Sequence, residues 1–599
     1  MCGILFQISK EKIDIEKFNK ALLLQKHRGP DHTGVKQYND KMFFGHVRLS
    51  IIDLPERSNQ PMMNDEGSNV IIFNGEIYNY IELKKDLQHK NINFKTEGDT
   101  EVLLKSLEFY GIEAIKNFNG AWSFLYYNKK DNKLVLSRDR FGKNPLYYYQ
   151  DQKTFIVSSE IKSIFYLLQK NRLIRKEQIE LFIKYNFLPN DDEKTLYHDI
   201  YQLKPGDICE INLNDKNFKI KSSNFNKLSN FLKNNTQLTL KEIIKDSVKV
   251  RLRSDVKTAI LVSGGLDSAI VSNEANKISS NLVYYKCDFG KDEDDYYASY
   301  LSKVLNINLI RIPMHPEKNN MLNKIENVIK IFEFPIPING FTLSSNIIFE
   351  KLSKDGVKVV IDGMGADEIY GGYFDRYSLA YINSCIEKLR IFDLIYFIYY
   401  SVKNKHSGVL HLLKHTLKKI LNFAFKFKFK NKNENPYLTK NQFKNFEDYQ
   451  LEDNQSGITT LTLKLYNSSA MMNSVEARSP FFDYRHFFNI SNDINSKFNK
   501  GLNKVLLRKY LPDNLKEIKN RIIKQPFRFG FETYFMKDKK EEIFKSIKNS
   551  SIVNSIIREN EVDKLFSDYS SSSSIFIAHR ILRLYSVSVF EKIYGSSIK

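Results

Sequence analysis

The sequence predicts two domains of different class: a strand-rich N-terminal third and, after a polar linker, an α/β domain built on a parallel sheet. Three observations carry this. A chain of 599 residues exceeds what one hydrophobic core organises. From about Asn212 to Gln237 the composition turns rich in Asn, Lys and Ser, as linkers do. From Thr258 onward, short apolar runs alternate with helical stretches, the pattern of parallel strands joined by crossover helices. On this reading the domains span 1–212 and 239–599, with a linker at 213–238.

In the N-terminal domain the chemistry-bearing residues sit at the ends of strand-like runs. Removal of Met1 would leave Cys2 as a thiol beside its own base, the α-amine, which titrates near pH ~8. Arg28-Gly29-Pro30-Asp31 reads as a turn. Arg48 to Asp53 alternates like a strand edge led by a cation. Val70 to Phe73 is a buried strand running into Asn74-Gly75-Glu76, where an Asn amide and a Gly N–H side by side can hold an oxyanion. Gly98-Asp99 opens a helix and places Asp99 at its positive end. Arg48 and Asp99 together form the cation–anion pair that an amino acid ligand needs.

In the second domain the leading element is Ser263-Gly264-Gly265-Leu266-Asp267-Ser268, between the apolar run Thr258–Val262 and a helix. Strand, glycine loop and helix point backbone N–H groups at an anion, and Asp267 suits a Mg²⁺ ion riding on phosphate. The loop is too short for a Walker motif and lacks its Lys-Ser/Thr, so it reads as a pyrophosphate site of ATP. Lys358–Ile361 is a second buried strand, and it ends in another glycine loop, Asp362-Gly363-Met364-Gly365-Ala366-Asp367-Glu368, rich in acids. Both loops fall at strand carboxyl ends, where open α/β sheets bind ligands.

Together these motifs resemble the glutamine-hydrolysing asparagine synthetases along nearly the whole chain. The resemblance extends to Gly120–Phe124, Arg138–Gly142, Ser474–Asp483 and Asn503–Arg508. It implies a class II glutamine amidotransferase domain of the N-terminal-nucleophile hydrolase type, an α+β sandwich of stacked antiparallel sheets between helices. An ATP-pyrophosphatase-type synthetase domain follows. Cys2 would attack the glutamine side-chain amide, Asn74 and Gly75 would hold the oxyanion, Arg48 the α-carboxylate, and Glu76 and Asp99 the α-amino group. ATP would lie against Leu261, Ser263, Gly264, Gly265, Asp267 and Ser268, and against Cys287, Asp362, Gly363 and Lys504, with Mg²⁺ on Asp267 and Asp367. Asp362, Glu476 and Arg478 are assigned to the acceptor carboxylate, and Asp483 to a turn cap. Arg521 and Lys524 are further candidates.

The implied activity is asparagine synthesis from aspartate with glutamine-derived ammonia, through a β-aspartyl-adenylate, releasing AMP and pyrophosphate. An internal passage would carry the ammonia. The sequence departs from the best-known family members at Met364, where they have a Glu; a thioether neither accepts a proton nor holds an ammonium. No Arg or Lys occurs from Ile331 to Glu350, where some members carry one for aspartate. The alternative is the same chemistry on another carboxylate, such as a uronic acid of a surface polysaccharide. A glutamine-sensing protein without synthetase activity is disfavoured by the intact Ser263–Ser268 loop and Lys504.

The net charge of +21 is spread over the chain and forms no single recognition stripe, so no nucleic-acid partner is expected. Four cysteines without a CxxC pair argue against a disulfide or zinc framework and for a reducing cytoplasm. No signal peptide is read at the start, and Ile391–Tyr400, the most apolar run, is too short to span a bilayer. The helical, aromatic and basic segment at about 377–455 reads as a cover on the synthetase domain; the sharper alternative is a surface for anionic lipid. A homodimer is among the assemblies the resemblance allows.

Overall fold

The computed structural model describes residues 2–186, 193–215, 218–225, 238–290, 292–315, 321–403, 413–414, 416–417, 446–489, 496–499, 502–522, 530–595 and 597–598. The first domain contains β1 (Gly3–Ser9), β2 (His32–Asn39), β3 (Met42–Arg48), β4 (Met62–Met63), β5 (Val70–Ile77), β6 (Gly120–Asn128), β7 (Lys133–Arg138), β8 (Tyr147–Gln150), β9 (Thr154–Ser158), β10 (Leu173–Ile174), β11 (Tyr201–Gln202), β12 (Asp207–Asn212) and β13 (Ile220–Asn224). Twelve of these make two antiparallel sheets, ordered β11-β8-β9-β1-β3-β2 and β13-β12-β7-β6-β5-β4.

Strand periodicity explains why the two sheets stack. Ile4 and Phe6 of β1 point to the same core as Val70 and Ile72 of β5 and Leu134 and Leu136 of β7. The intervening residues face outward onto helices. Leu5 packs with Phe18 and Leu22 of the helix Ile15–Leu23. Ile71 and Phe73 pack with Leu103, Leu104 and Leu107 of the helix Asp99–Tyr110. The result is the helix–sheet–sheet–helix sandwich that the resemblance implies. Each such buried side chain stabilises the fold by about 1.5–3 kcal/mol.

The linker starts later than the composition suggests. β13 lies inside the expected 213–238 segment and pairs with β12, Ile208 opposite Ser223. It is an edge strand whose Lys221, Ser222, Ser223 and Asn224 are exposed, so its composition looks like linker while its backbone belongs to the sheet. Phe225 then stacks on the buried Trp122, with 6.0 Å between ring centroids. Residues 226–237 lie outside the described residues. Thr239 opens the helix Leu240–Arg251 with a capping box to Glu242.

The second domain holds β14 (Thr258–Leu261), β15 (Val283–Asp288), β16 (Leu309–Pro313), β17 (Val359–Ile361) and β18 (Glu476–Arg478) in an all-parallel sheet ordered β16-β15-β14-β17-β18. The central strands β14 and β17 are covered on both faces and are almost wholly apolar, whereas the edge strands β16 and β18 carry charged residues. Ala259 and Val360 enter one core, Ile260 and Ile361 the other. The first of these cores runs without a break into the N-terminal domain through Leu5, Tyr147 and Phe182. The strand order reverses between β14 and β17, which opens a crevice at their carboxyl ends. The helix Ile575–Tyr594 closes the chain, buried through Ile581, Leu582 and Phe590.

Candidate active sites

Cys2 is buried at the mouth of β1 and is held by its main chain. Its N–H donates to Asn74 Oδ1 (2.9 Å), and its carbonyl accepts from Arg28 Nε (2.9 Å). Arg28 is in turn paired with Glu160 (3.3 Å), which also meets His27 (2.9 Å) and Lys162 (2.7 Å). The turn signal at Arg28 thus conceals a residue that positions Cys2. Asn74 Nδ2 donates to Ser123 Oγ (3.2 Å), and Asn144 Nδ2 donates to the carbonyls of Asn74 and Ala121 (3.0 Å each). The amide that would face an oxyanion is therefore fixed in orientation. Burial pushes the Cys2 thiol up, against the N-terminal charge, the Leu49 N–H and Arg48. A nearby base is thus needed to make the thiolate.

A cavity opens here, lined by Cys2, Arg48, Gly75, Glu76 and Asp99 with Leu49, Ile52 and Phe73. Arg48 also clamps the loop that walls the cavity, donating to the carbonyls of Ile52 (3.2 Å), Asp53 (2.7 Å) and Pro55 (3.1 Å) and to Asn59 Oδ1 (2.9 Å). Asp99 accepts from the Ile77 N–H (2.9 Å) at the end of β5.

The side chains of Glu476 and Arg478 turn toward the Cys2 site, while the Arg478 carbonyl accepts from the Asp362 N–H (3.1 Å). Glu476 lines the Cys2 cavity, because it stands at the amino end of β18, opposite Val359, whereas ligands of the parallel sheet gather at the carboxyl ends. Arg478 reaches back to it (Nε to Oε1, 2.7 Å) and across the domain boundary to Glu76 (3.2 Å). Three buried carboxylates, Glu76, Asp99 and Glu476, thus face one guanidinium. Burial raises Glu76, and it raises Asp99 to about 6; Glu476 is also buried, yet the N-terminal charge and Arg478 hold it at about 2. Their carboxyl oxygens are the acceptors on this side of the cavity that a ligand ammonium could meet.

The second site lies in the crevice between β14 and β17. Gly264 turns the loop with φ +71°, and the helix Leu266–Ile278 begins immediately after Gly265. Ser263 Oγ and Ser268 Oγ stand 3.1 Å apart, and the Ser263 N–H donates to Ser268 Oγ (3.1 Å). Lys504 bridges the two glycine loops, its Nζ 2.6 Å from Asp267 Oδ2 and 2.6 Å from Asp367 Oδ1. It does so from a left-handed backbone conformation (φ 52°), which costs a non-glycine residue about 1 kcal/mol or more. Gly372 makes room: a β-carbon there would fall 1.8 Å from Asp367 Oδ1 and 2.2 Å from Lys504 Cε. Leu261 and Cys287 sit near the carboxyl ends of β14 and β15, flanking this crevice. Arg521 donates to the Gly264 carbonyl (3.2 Å) and pairs with Asp294 (2.6 Å), while Lys524 lies outside the described residues.

A family model described as a glutamine amidotransferase domain matches residues 1–222, and one described as asparagine synthase matches residues 239–585. The chain belongs to the asparagine synthase family. It is 32 % identical to a putative asparagine synthetase [glutamine-hydrolyzing] 2 of Methanocaldococcus jannaschii, over 70 % of this chain and 84 % of that one. It is 28 % identical to asparagine synthetase [glutamine-hydrolyzing] 1 of Bacillus subtilis, over 95 % and 93 %. It is also 28 % identical to amidase chry2 of Gibberella zeae, over 60 % and 55 %.

Two features of this asparagine synthase-family chain escaped the sequence reading. Asp483 does cap its turn, accepting from the Arg485 N–H (3.0 Å), but it is also fully buried between the domains. Its Oδ2 meets Arg251 (2.9 Å), Arg485 (2.8 Å) and Asn119 Nδ2 of the first domain (2.7 Å). Met364 packs against both cores of the second domain, and its N–H donates to Asp362 Oδ1 (3.0 Å), which also accepts from Ser479 Oγ (2.7 Å). The thioether therefore fills an apolar gap beside the acid loop.

Proposed function

We propose that this chain couples two reactions: glutamine hydrolysis at Cys2 and ATP-dependent amide formation in the β14–β17 crevice, with aspartate as the acceptor and asparagine as the product. The observation that carries the reading is Lys504 bridging Asp267 and Asp367 across the two glycine loops, in a chain that also holds the Cys2–Asn74 arrangement.

With Met1 removed, the Cys2 amine beside Asn74 Oδ1 takes the thiol proton through a water. Sγ attacks the side-chain carbonyl carbon of glutamine. Asn74 Nδ2 and the Gly75 N–H stabilise the oxyanion, ammonia leaves, and water releases glutamate from the thioester. Glu76, Asp99 and Glu476 hold the substrate ammonium, and Arg48 its carboxylate. In the crevice the acceptor carboxylate attacks the α-phosphorus of ATP, which gives an acyl-adenylate and pyrophosphate. Ammonia then attacks the acyl carbon and AMP departs. Lys504 neutralises charge on the phosphates. Asp267 and Asp367 converge on one Nζ, and their carboxylate oxygens are the hard donors that Mg²⁺ takes. They would hold the ion, which when bound offsets charge on the pyrophosphate. The buried core that both domains share supports an internal route for ammonia from which bulk water would be excluded. The cytoplasm, where glutamine and ATP are abundant, is the proposed compartment.

Met364 supports a second reading, the same chemistry on another carboxylate such as a uronic acid, since its side chain offers no charge to an amino acid acceptor. The test is pyrophosphate release with ATP, Mg²⁺ and glutamine, with and without aspartate, and mass analysis of the product. Aspartate-dependent pyrophosphate with asparagine supports the first reading. Glutaminase activity without any response to aspartate supports the second.

A further inference from the structure

The short helix Ala366–Tyr370 carries Asp367 and ends at Gly371, which turns the chain with φ +73°. So short a helix leaves its last carbonyls without partners of its own. They are met from elsewhere in the domain. Gln450 Nε2 donates to the carbonyl of Glu368 (2.7 Å) and to that of Ile369 (3.1 Å). Lys497 Nζ also donates to the Ile369 carbonyl (3.1 Å), and Asn503 Nδ2 donates to the Gly372 carbonyl (2.6 Å). The next residue, Lys504, meets Asp367 Oδ1 itself.

Gln450 lies 82 positions from Glu368, on the helix Phe446–Ser456. Asp453 and Asn454 follow it at spacings of three and four, so the three share one face of that helix. All three are buried. A helix normally turns apolar residues inward, and a buried polar face is costly unless its groups find partners. Asp453 accepts from Arg376, from the Tyr377 hydroxyl (3.1 Å) and from Thr459 Oγ1 (3.0 Å). The Tyr377 hydroxyl also stands 3.2 Å from the Glu368 carbonyl, so the two acceptors share its proton. Asn454 Nδ2 donates to the Gln450 carbonyl (2.8 Å). Phe446 and Tyr449 anchor the helix against Tyr377, each with 5.6 Å between ring centroids.

We propose that Gln450 and Asp453 are positioning residues for Asp367. Gln450 fixes the two carbonyls that follow Asp367 in the chain, and Asp453 holds Arg376 and Tyr377 where Tyr377 supports the same helix end. This role rests on the proposed reading of Asp267 and Asp367 as the carboxylates that hold Mg²⁺ beside ATP. A carboxylate that holds a metal needs a fixed direction, and the groups behind it set that direction and the affinity. Loss of the Gln450 amide would take a donor from both carbonyls and free the helix end to drift, carrying Asp367 away from Lys504 and Asp267. The last helix of the 377–455 segment thus serves the crevice as well as covering the domain.

The experiment compares the full-length chain with Gln450→Met, which keeps a side chain of similar length and removes its N–H donors. Hydrogen exchange without nucleotide reads the helix directly. The Ile369 N–H, bonded to the Gly365 carbonyl (3.0 Å), and the Gly372 N–H, bonded to the Asp367 carbonyl (2.7 Å), should exchange about tenfold faster in the variant. Calorimetric titration with ATP and Mg²⁺ should show binding weaker by about tenfold or more. Retained glutaminase activity certifies the fold. Asp453→Asn removes the charge that holds Arg376 yet keeps an acceptor, and it should move both readings in the same direction. Phe397→Leu loosens the same helical cluster without removing any of these bonds, so it should melt earlier with wild-type exchange and affinity. Wild-type exchange in Gln450→Met or Asp453→Asn, or an equal change in Phe397→Leu, overturns the proposal. A wild-type chain that does not bind ATP with Mg²⁺ overturns the ATP reading instead, and the exchange rates still decide whether Gln450 fixes the helix.

Discussion

Asp99→Asn probes the charge balance of the glutamine pocket. Asp99 is 8 % exposed and shares its surroundings with Glu76 and Glu476, with Arg478 as the paired cation. Burial moves its carboxyl from 3.8 to about 6, which corresponds to about 3 kcal/mol of unfavourable ionisation at neutral pH. The pKa is raised in the folded state, so the wild-type protein is favoured below about pH 4 and loses that contribution as pH climbs to 6. Asparagine cannot ionise, yet its Oδ1 can still accept from the Ile77 N–H. The variant should therefore unfold at higher temperature than the wild type at pH 8, by an upper bound of about 3 kcal/mol. The difference should shrink toward zero at pH 4. Its KM for glutamine at pH 8 should rise about 10- to 100-fold, the worth of a charged hydrogen bond to the substrate ammonium. Calorimetry from pH 4 to 8 and steady-state glutaminase assays read both effects. A variant with unchanged KM, or one less stable at pH 8, would refute the assignment of Asp99 to the substrate and leave it as an anchor for β5.

Cys2→Ala should abolish glutamine hydrolysis and glutamine-dependent synthesis while ammonia-dependent synthesis stays within about twofold, as measured by product formation with ammonium chloride. Asp267→Asn leaves Lys504 with Asp367 as its carboxylate partner in the crevice. Synthesis should fall by about 10³-fold or more while glutaminase activity persists, and full synthesis would remove the metal assignment. Glu476→Gln should raise the KM for glutamine by about tenfold yet spare ammonia-dependent synthesis, although Glu476 belongs to the synthetase domain's sheet.

The parts of this molecule legible in the sequence are those whose chemistry is local. Asn74-Gly75-Glu76 follows an apolar strand directly, and Ser263–Ser268 lies between a strand and its helix, so spacing alone carries the reading. What stayed hidden depends on contacts far apart in the chain. Asp483 meets Asn119 across 364 positions and Arg251 across 232, and no local pattern encodes either partner. Arg28 sits in a turn motif, and the carbonyl it holds belongs to Cys2 at the other end of β1 and the following helix. β13 was concealed for a different reason: an edge strand facing water needs no apolar side chains, so its pairing leaves no trace in composition. Glu476 was assigned to the acceptor carboxylate from the resemblance alone; its place on the glutamine cavity follows from the amino end of β18 abutting the first domain, a contact no local pattern encodes.

That placement exposes how the two sites are joined. Glu476 lines the glutamine cavity, the Ala477 carbonyl accepts from Lys143 of the first domain, Arg478 pairs with Glu76, and Ser479 Oγ donates to Asp362 of the acid loop. Four consecutive residues, about 10 Å of extended chain, thus touch both reaction centres. β18 is short, hydrogen-bonded to β17 on one side and tied to the first domain by Lys143 and Glu76 on the other. On the proposed function, a substrate ammonium bound between Glu76 and Glu476 would act on the same strand whose far end positions Asp362. The physical link between the Cys2 cavity and the acid loop is therefore a fixed strand with charged groups at one end and a hydroxyl at the other, and under the proposed function it would couple the two reactions without a domain movement.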